Sequence, residues 1–273
     1  MNGERDLQLR IQCSLRERMS CRTDTKGYVR VPEDNLVDGV LMDQFEEELR
    51  KGDGNELRMK FCAAHSSTAL AVNCFAWFRQ TERLPYLTLL GRKGAKDVRF
   101  EVKLPIFRGG RHPNMDVWID RDDEVIAIES KLTEYFEKKV PKFSTAYDRL
   151  TPPEYSDSYW WEVYEQAKKG TTQHLDIAQL VKHYFGLWTY RQKLTTQKNI
   201  RFLYLFWEPR DWGRFDVCKR HRSECEELEK ATRRSSIPFM WLTYPELWRQ
   251  WFDIPSLAGH ARNLIERYDV DMS

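Results

Sequence analysis

The segment HPNMDVWIDRDDEVIAIESK, residues 112–131, constrains the chain more than any other stretch. MDVWID and VIAIESK are short runs rich in apolar and β-branched residues, separated by the polar turn R-D-D-E, so they pair naturally as a hairpin. Along a strand, residues two apart share a face. In VIAIESK this groups Glu129 with Lys131 and turns Ile126 and Ile128 the other way. In MDVWID it groups Asp116, Trp118 and Asp120 against Val117 and Ile119. The hairpin therefore brings Asp116 alongside Glu129.

Two carboxylates held close together repel and raise each other's pKa unless a cation lies between them. A hard divalent ion such as Mg2+ prefers oxygen ligands of this kind and keeps several waters. A lysine two residues further on can hold or help deprotonate a metal-bound water and stabilise charge on a phosphate. The group offers no thiol or imidazole, which argues against zinc. Cys218, His221 and Cys225 are close enough in sequence to approach one zinc ion, but a fourth ligand at metal-site spacing is missing.

The flanking sequence sets these strands in an α/β frame. DNLVDGVLMDQFEEELRKGDGNEL reads as a helix from Asp34 or Asn35 to the Gly52/Gly54 break, and a second helix is expected from Glu56 to Gln80. DVRFEVKLPIF at 97–107 alternates with a period of two, as a strand with one wet face does. Residues 132–172 carry charge runs, prolines and the Tyr159-Trp160-Trp161 group, and read as an insertion or surface lobe. A helix over about 173–194, a strand at 200–207, a helix over about 215–234 and a strand at 237–244 complete the pattern. Expected boundaries are an N-terminal extension over 1–34, a core over 35–210 with the insertion inside it, and an α/β addition to the same domain over 211–273. The fold class is α/β, with a mixed central β-sheet flanked by helices.

Composition bounds the partners. The 44 basic and 42 acidic residues of the 273 give a net charge of +2, so any nucleic-acid surface must come from local clustering. The six cysteines form no C-x-x-C pair, which suits buried thiols in a reducing compartment. The N-terminus is charged throughout and no apolar run reaches the length of a membrane span, so a cytoplasmic protein without membrane contact is expected.

The pattern D-x12-E-S-K, on a hairpin that follows a helix and a strand, resembles the PD-(D/E)XK nuclease superfamily. Members share a core of helix, three antiparallel strands, helix and a further strand, corresponding to residues 56–207 here. The resemblance implies a restriction-endonuclease-like core and a Mg2+-dependent nuclease, with Mn2+ as a substitute. By position, Asp116 and Glu129 bind the metal and Lys131 serves the attacking water. An acidic residue from the first helix often joins the ligands; Glu56 is the candidate, with Glu46, Glu47 and Glu48 competing. A Gln or basic residue on the helix after the third strand corresponds to Gln179, with Lys182 one turn later. HSSTALAVN and AQLVKHYFGL further resemble uncharacterised bacterial restriction-endonuclease-like proteins.

The proline departs from the pattern: Asn114 and Met115 separate Pro113 from Asp116, which leaves Asp120 as an alternative ligand. Bland readings stand beside several of these assignments. Glu56 also suits a helix N-terminus. Arg108 and Arg111 flank glycines in a loop fit for phosphate contact or for an ordinary turn. Lys138, Lys139 and Lys142 suit a solvated face equally well, and His65 and His183 are expected to pack or cap. DNA is the favoured substrate, with restriction or anti-phage defence as the setting and a homodimer or a larger defence complex as the assembly. The alternative is a silent or partner-dependent subunit of the same fold, serving as a nucleic-acid-binding or assembly module.

Overall fold

The computed structural model describes residues 3–51, 60–105, 112–171, 173–193 and 198–272. Helix α1 (Gly3–Glu17) turns Leu7, Ile11 and Leu15 inward, four residues apart as a helix face requires. Two short helices follow, α2 (Glu46–Arg50) and α3 (Ser67–Phe75). The two-residue strands β1 (Thr88–Leu89) and β2 (Arg92–Lys93) form a small separate ladder. Then come β3 (Asp97–Lys103), β4 (Asn114–Asp120) and β5 (Glu124–Lys131). Helices α4 (Ser158–Ala167) and α5 (Ile177–Lys193) lead to β6 (Asn199–Phe206). The chain closes through α6 (Asp216–Thr232), β7 (Phe239–Thr243), α7 (Tyr244–Phe252) and α8 (Ala258–Tyr268).

The main sheet has the order β3-β4-β5-β6-β7. Its first three strands are antiparallel, and β6 and β7 add in parallel through helical crossovers. This is the mixed α/β sheet expected from the sequence. Strand β5 is central and buried along its whole length except at Lys131. Its apolar VIAI run follows from that place, since a strand covered on both faces has no wet side.

Three expectations for individual segments change. The helix expected from Asp34 to the glycines is instead two 3-10 turns, Pro32–Asn35 and Met42–Gln44, followed by the five residues of α2. Of the helix expected from Glu56 to Gln80, the described residues 61–80 hold the nine residues of α3 and a 3-10 turn at Ala76–Arg79, while Glu56 lies outside the described residues. Its start is fixed by Ser66, whose hydroxyl accepts the Ala69 N–H at 3.1 Å. Just before it, Cys62 accepts the Val29 N–H at 2.9 Å and Ala63 bridges Tyr28, which holds that stretch out of the helix.

The 132–172 stretch, expected as an insertion or a surface lobe, is no surface lobe: it packs into the core through Tyr135, Phe136, Tyr147, Trp160 and Tyr164. Trp160 stacks on Tyr184 of α5 at 4.5 Å and donates its indole N–H to the Ile237 carbonyl at 3.0 Å. Those rings roof one side of the sheet and hold α5 over the end of β5.

Helix α5 approaches unusually closely where it crosses the β3–β4 connection. A Cβ on Gly186 would stand 2.8 Å from Leu104 Cβ and 3.1 Å from Pro113 Cγ. The glycine therefore sets how near α5 comes to the hairpin.

Candidate active site

At the C-terminal end of β5, a cleft of about 810 Å3 opens between α3, α5 and the strand ends. Asp116, Glu101, Lys131, Glu134, Gln179 and His183 line it, with Ser67 and Thr68 at the start of α3.

The β4–β5 ladder pairs Val117 with Ile128, and one further step of that register puts Asp116 level with Glu129. There Asp116 Oδ2 accepts the Ser130 N–H at 2.6 Å, which fixes the carboxylate against β5. Glu129 is only 1% exposed, so this carboxylate is buried rather than part of a solvated strand face. Its Oε1 accepts a hydrogen bond from Lys131 Nζ. Its Oε2 lies 3.1 Å from His183 Nδ1, off the hydrogen-bond line, and both atoms are buried without a hydrogen-bond partner.

The electrostatics follow from crowding and burial. Burial, then the charge of Glu129, pushes the Asp116 carboxyl well above the usual carboxylate range. Burial pushes Glu129 up as well, offset in part by Lys131. For Lys131 burial works against the charge, but Glu129, Glu134 and Asp116 outweigh it and hold the ammonium above its ordinary value. Burial, with Lys131 and Lys182 adding to it, drives His183 down to about 3, so its imidazole is neutral.

Asp116, Glu129 and Lys131 are thus brought together. Asp120 stands elsewhere, level with Val125 and ion-paired to Lys198 at 2.6 Å. Four residues of strand separate it from Asp116, about 13 Å. Gln179 faces the cleft from α5. Lys182 also lines the cleft, but its ammonium donates to the Lys142 carbonyl at 2.8 Å and lies over the Phe143 ring. Glu56, Arg108 and Arg111 lie outside the described residues. On α6, Cys218 meets the Tyr135 hydroxyl at 3.6 Å and His221 meets that of Tyr204 at 3.0 Å.

Among the cleft residues that sequence reasoning did not place there are His183 and Glu101. His183 sits one helical turn after Gln179, a spacing that shares a helix face. Glu101 stands level with Asp116 by the β3–β4 register, which pairs Phe100 with Val117 and Val102 with Met115. Its φ of +49° is a left-handed conformation that costs a non-glycine residue energy. The alternation of DVRFEVK carried the signal for Glu101, but only a known register converts it into a position.

The donor set suits a hard divalent cation: two buried carboxylates side by side, whose repulsion a cation relieves. Among the described residues no group of three or more His, Cys, Asp and Glu is placed to hold a metal. Two protein carboxylates, with water and substrate phosphate completing the shell, is how Mg2+ is commonly bound.

A mixed sheet with this cleft at the end of its central strand is that of a restriction-endonuclease-like protein. The chain belongs to the family described as restriction endonuclease associating with ARP, whose model matches residues 13–269. No curated protein and no solved structure matches it. No helix among the described residues is long and apolar enough to cross a membrane.

Proposed function

We propose that this protein is a Mg2+-dependent nuclease that hydrolyses phosphodiester bonds, with DNA as substrate and internal cleavage as the mode. The observation that carries this reading is the meeting of Asp116, Glu129 and Lys131 at the open end of β5. Asp116 and Glu129 would hold the cation, and Glu56 is a further candidate ligand. Bound there, Mg2+ supplies Lewis-acid stabilisation of the phosphate and lowers the pKa of a bound water.

The chain's own residues do the rest. The Ser130 N–H fixes the Asp116 carboxylate, so that side chain needs no reorganisation. Lys131 rests on Glu129, and neutralising that carboxylate frees its ammonium to turn towards the phosphate and the attacking water. The acids around Lys131 hold it protonated in the cation-free site, and it would serve the attacking water and the phosphate as a cation and hydrogen-bond donor. Gln179 and Lys182 contact the backbone from α5, and Arg108 and Arg111 bind flanking phosphates.

A second reading has one observation in its favour. The family description names an association with ARP, and a net charge of +2 leaves little general attraction for DNA. On that reading the same site works only when a partner supplies the DNA-binding surface.

Incubating plasmid and Mg2+ with native protein, Glu129→Ala and Lys131→Ala tests the proposal. The native protein nicks or linearises the plasmid and both variants lose at least about 100-fold, the size expected when one transition-state charge partner is removed. Equal nicking by all three sinks the catalytic assignment. Cleavage that needs an added partner protein favours the second reading.

A further inference from the structure

We infer that His183 is a positioning residue for Glu129, setting how tightly the cation is held although it need not touch the cation. This rests on the nuclease reading of the cleft.

The geometry is that of two groups left to each other. Glu129 Oε1 is taken by Lys131, while Oε2 faces His183 Nδ1 at 3.1 Å. Both atoms are buried, and neither has any other hydrogen-bond partner. A buried donor or acceptor without a partner is costly, so an opposed pair at this distance gains by meeting. With its proton on Nδ1, the imidazole would donate to Oε2 once the ring turns onto the line between them.

His183 is 3% exposed and packs edge-on to Phe202 of β6, with ring centroids 6.1 Å apart, so the backbone of α5 carries it and the ring cannot swing far. The contact fixes the far oxygen of Glu129. The near oxygen then stays turned towards Lys131 and the cleft, where the cation would sit. Partners of this kind, which orient a ligating carboxylate, strengthen metal binding without contributing a bond to the metal.

The test uses Mn2+ alone, followed by its electron paramagnetic resonance signal, with no substrate present. Native protein, His183→Ala, His183→Asn and His183→Gln are compared. The asparagine amide nitrogen lies the same number of bonds from Cα as histidine Nδ1; the glutamine nitrogen lies one bond further out. His183→Ala is expected to weaken Mn2+ binding roughly 10- to 100-fold, and His183→Asn to restore it to within about threefold of native. His183→Gln should stay near the alanine level.

Native-like binding by His183→Ala overturns the inference, as does His183→Asn binding no better than His183→Ala. If the alanine variant does not fold, His183→Leu replaces it and the contrast with His183→Asn decides. Native protein that binds no Mn2+ overturns the nuclease reading and this role together. Unchanged binding in the His183 variants, with binding lost in Asp116→Asn, overturns only the role.

Discussion

Gly186→Ala tests whether α5 is held at the distance the cleft requires. Two terms oppose each other. Alanine is favoured over glycine inside a helix by about 1 kcal/mol. Against this, the new methyl would stand 2.8 Å from Leu104 Cβ, 3.0 Å from Leu104 Cδ1 and 3.1 Å from Pro113 Cγ. A Leu Cδ can swing aside, but a Leu Cβ is tied to its backbone and a proline ring barely moves. Either α5 or the β3–β4 connection must therefore give way by several tenths of an ångström, and overpacking of this kind costs about 1–3 kcal/mol. The balance is a net loss of about 0–2 kcal/mol, centred near 1, or a urea midpoint lower by about 0.3 M for a chain of this size. His183 lies only three residues, about 4.5 Å of helix, from the clash, so the displacement reaches the cleft. Urea unfolding followed by tryptophan fluorescence reads the first effect, and Mn2+ binding reads the second. A variant more stable than native by about 1 kcal/mol, with unchanged Mn2+ binding, would show that helix propensity dominates and that α5 is not pinned here.

Two further predictions address the acids. Asp116 and Glu129 are both pushed above the usual carboxylate values of 3.8 and 4.5, so the folded protein holds protons more tightly there than the unfolded chain does. Without divalent cation, their contribution to stability is therefore greatest at low pH and is lost as pH rises from that range through the raised folded values. Asp116→Asn should flatten this dependence, raise the melting temperature at neutral pH and abolish cleavage; a lower melting temperature at neutral pH would contradict it. Asp120→Asn removes only the pair to Lys198, worth about 0.2–1 kcal/mol at a part-exposed site. Cleavage should survive in that variant, and its loss would return Asp120 to the ligand list.

The site was legible where its chemistry is local. Strand phase alone put Glu129 and Lys131 on one face, and the four-residue R-D-D-E turn brought Asp116 beside them. The mixed sheet followed from the order of strands and helices. What was not legible depends on contacts between distant parts of the chain. His183 sits among the apolar residues of AQLVKHYFGL, so its sequence context is that of a packed core histidine, and only the place of α5 over β5 reveals the neighbour. Glu101 needed the β3–β4 register, which the strand's own alternation does not give. The overlong helix before β3 has a similar cause. Residues 61–66 have helix-compatible composition, but pairing with the Tyr28–Val29 backbone and the Ser66 cap outweigh it. The aromatic group at Tyr159-Trp160-Trp161 suits a local aromatic core, and Trp160 is fully buried there, but only the fold shows that its partner is Tyr184 of α5.

The central claim is that Asp116 and Glu129 together hold a divalent cation. Crystals soaked in Mn2+ and measured for anomalous scattering address it directly. The account predicts one strong peak about 2.0–2.3 Å from a carboxylate oxygen of each residue, with Lys131 turned away from Glu129. A peak on other residues, or Lys131 still paired to Glu129 with no peak between the two acids at saturating Mn2+, would contradict it.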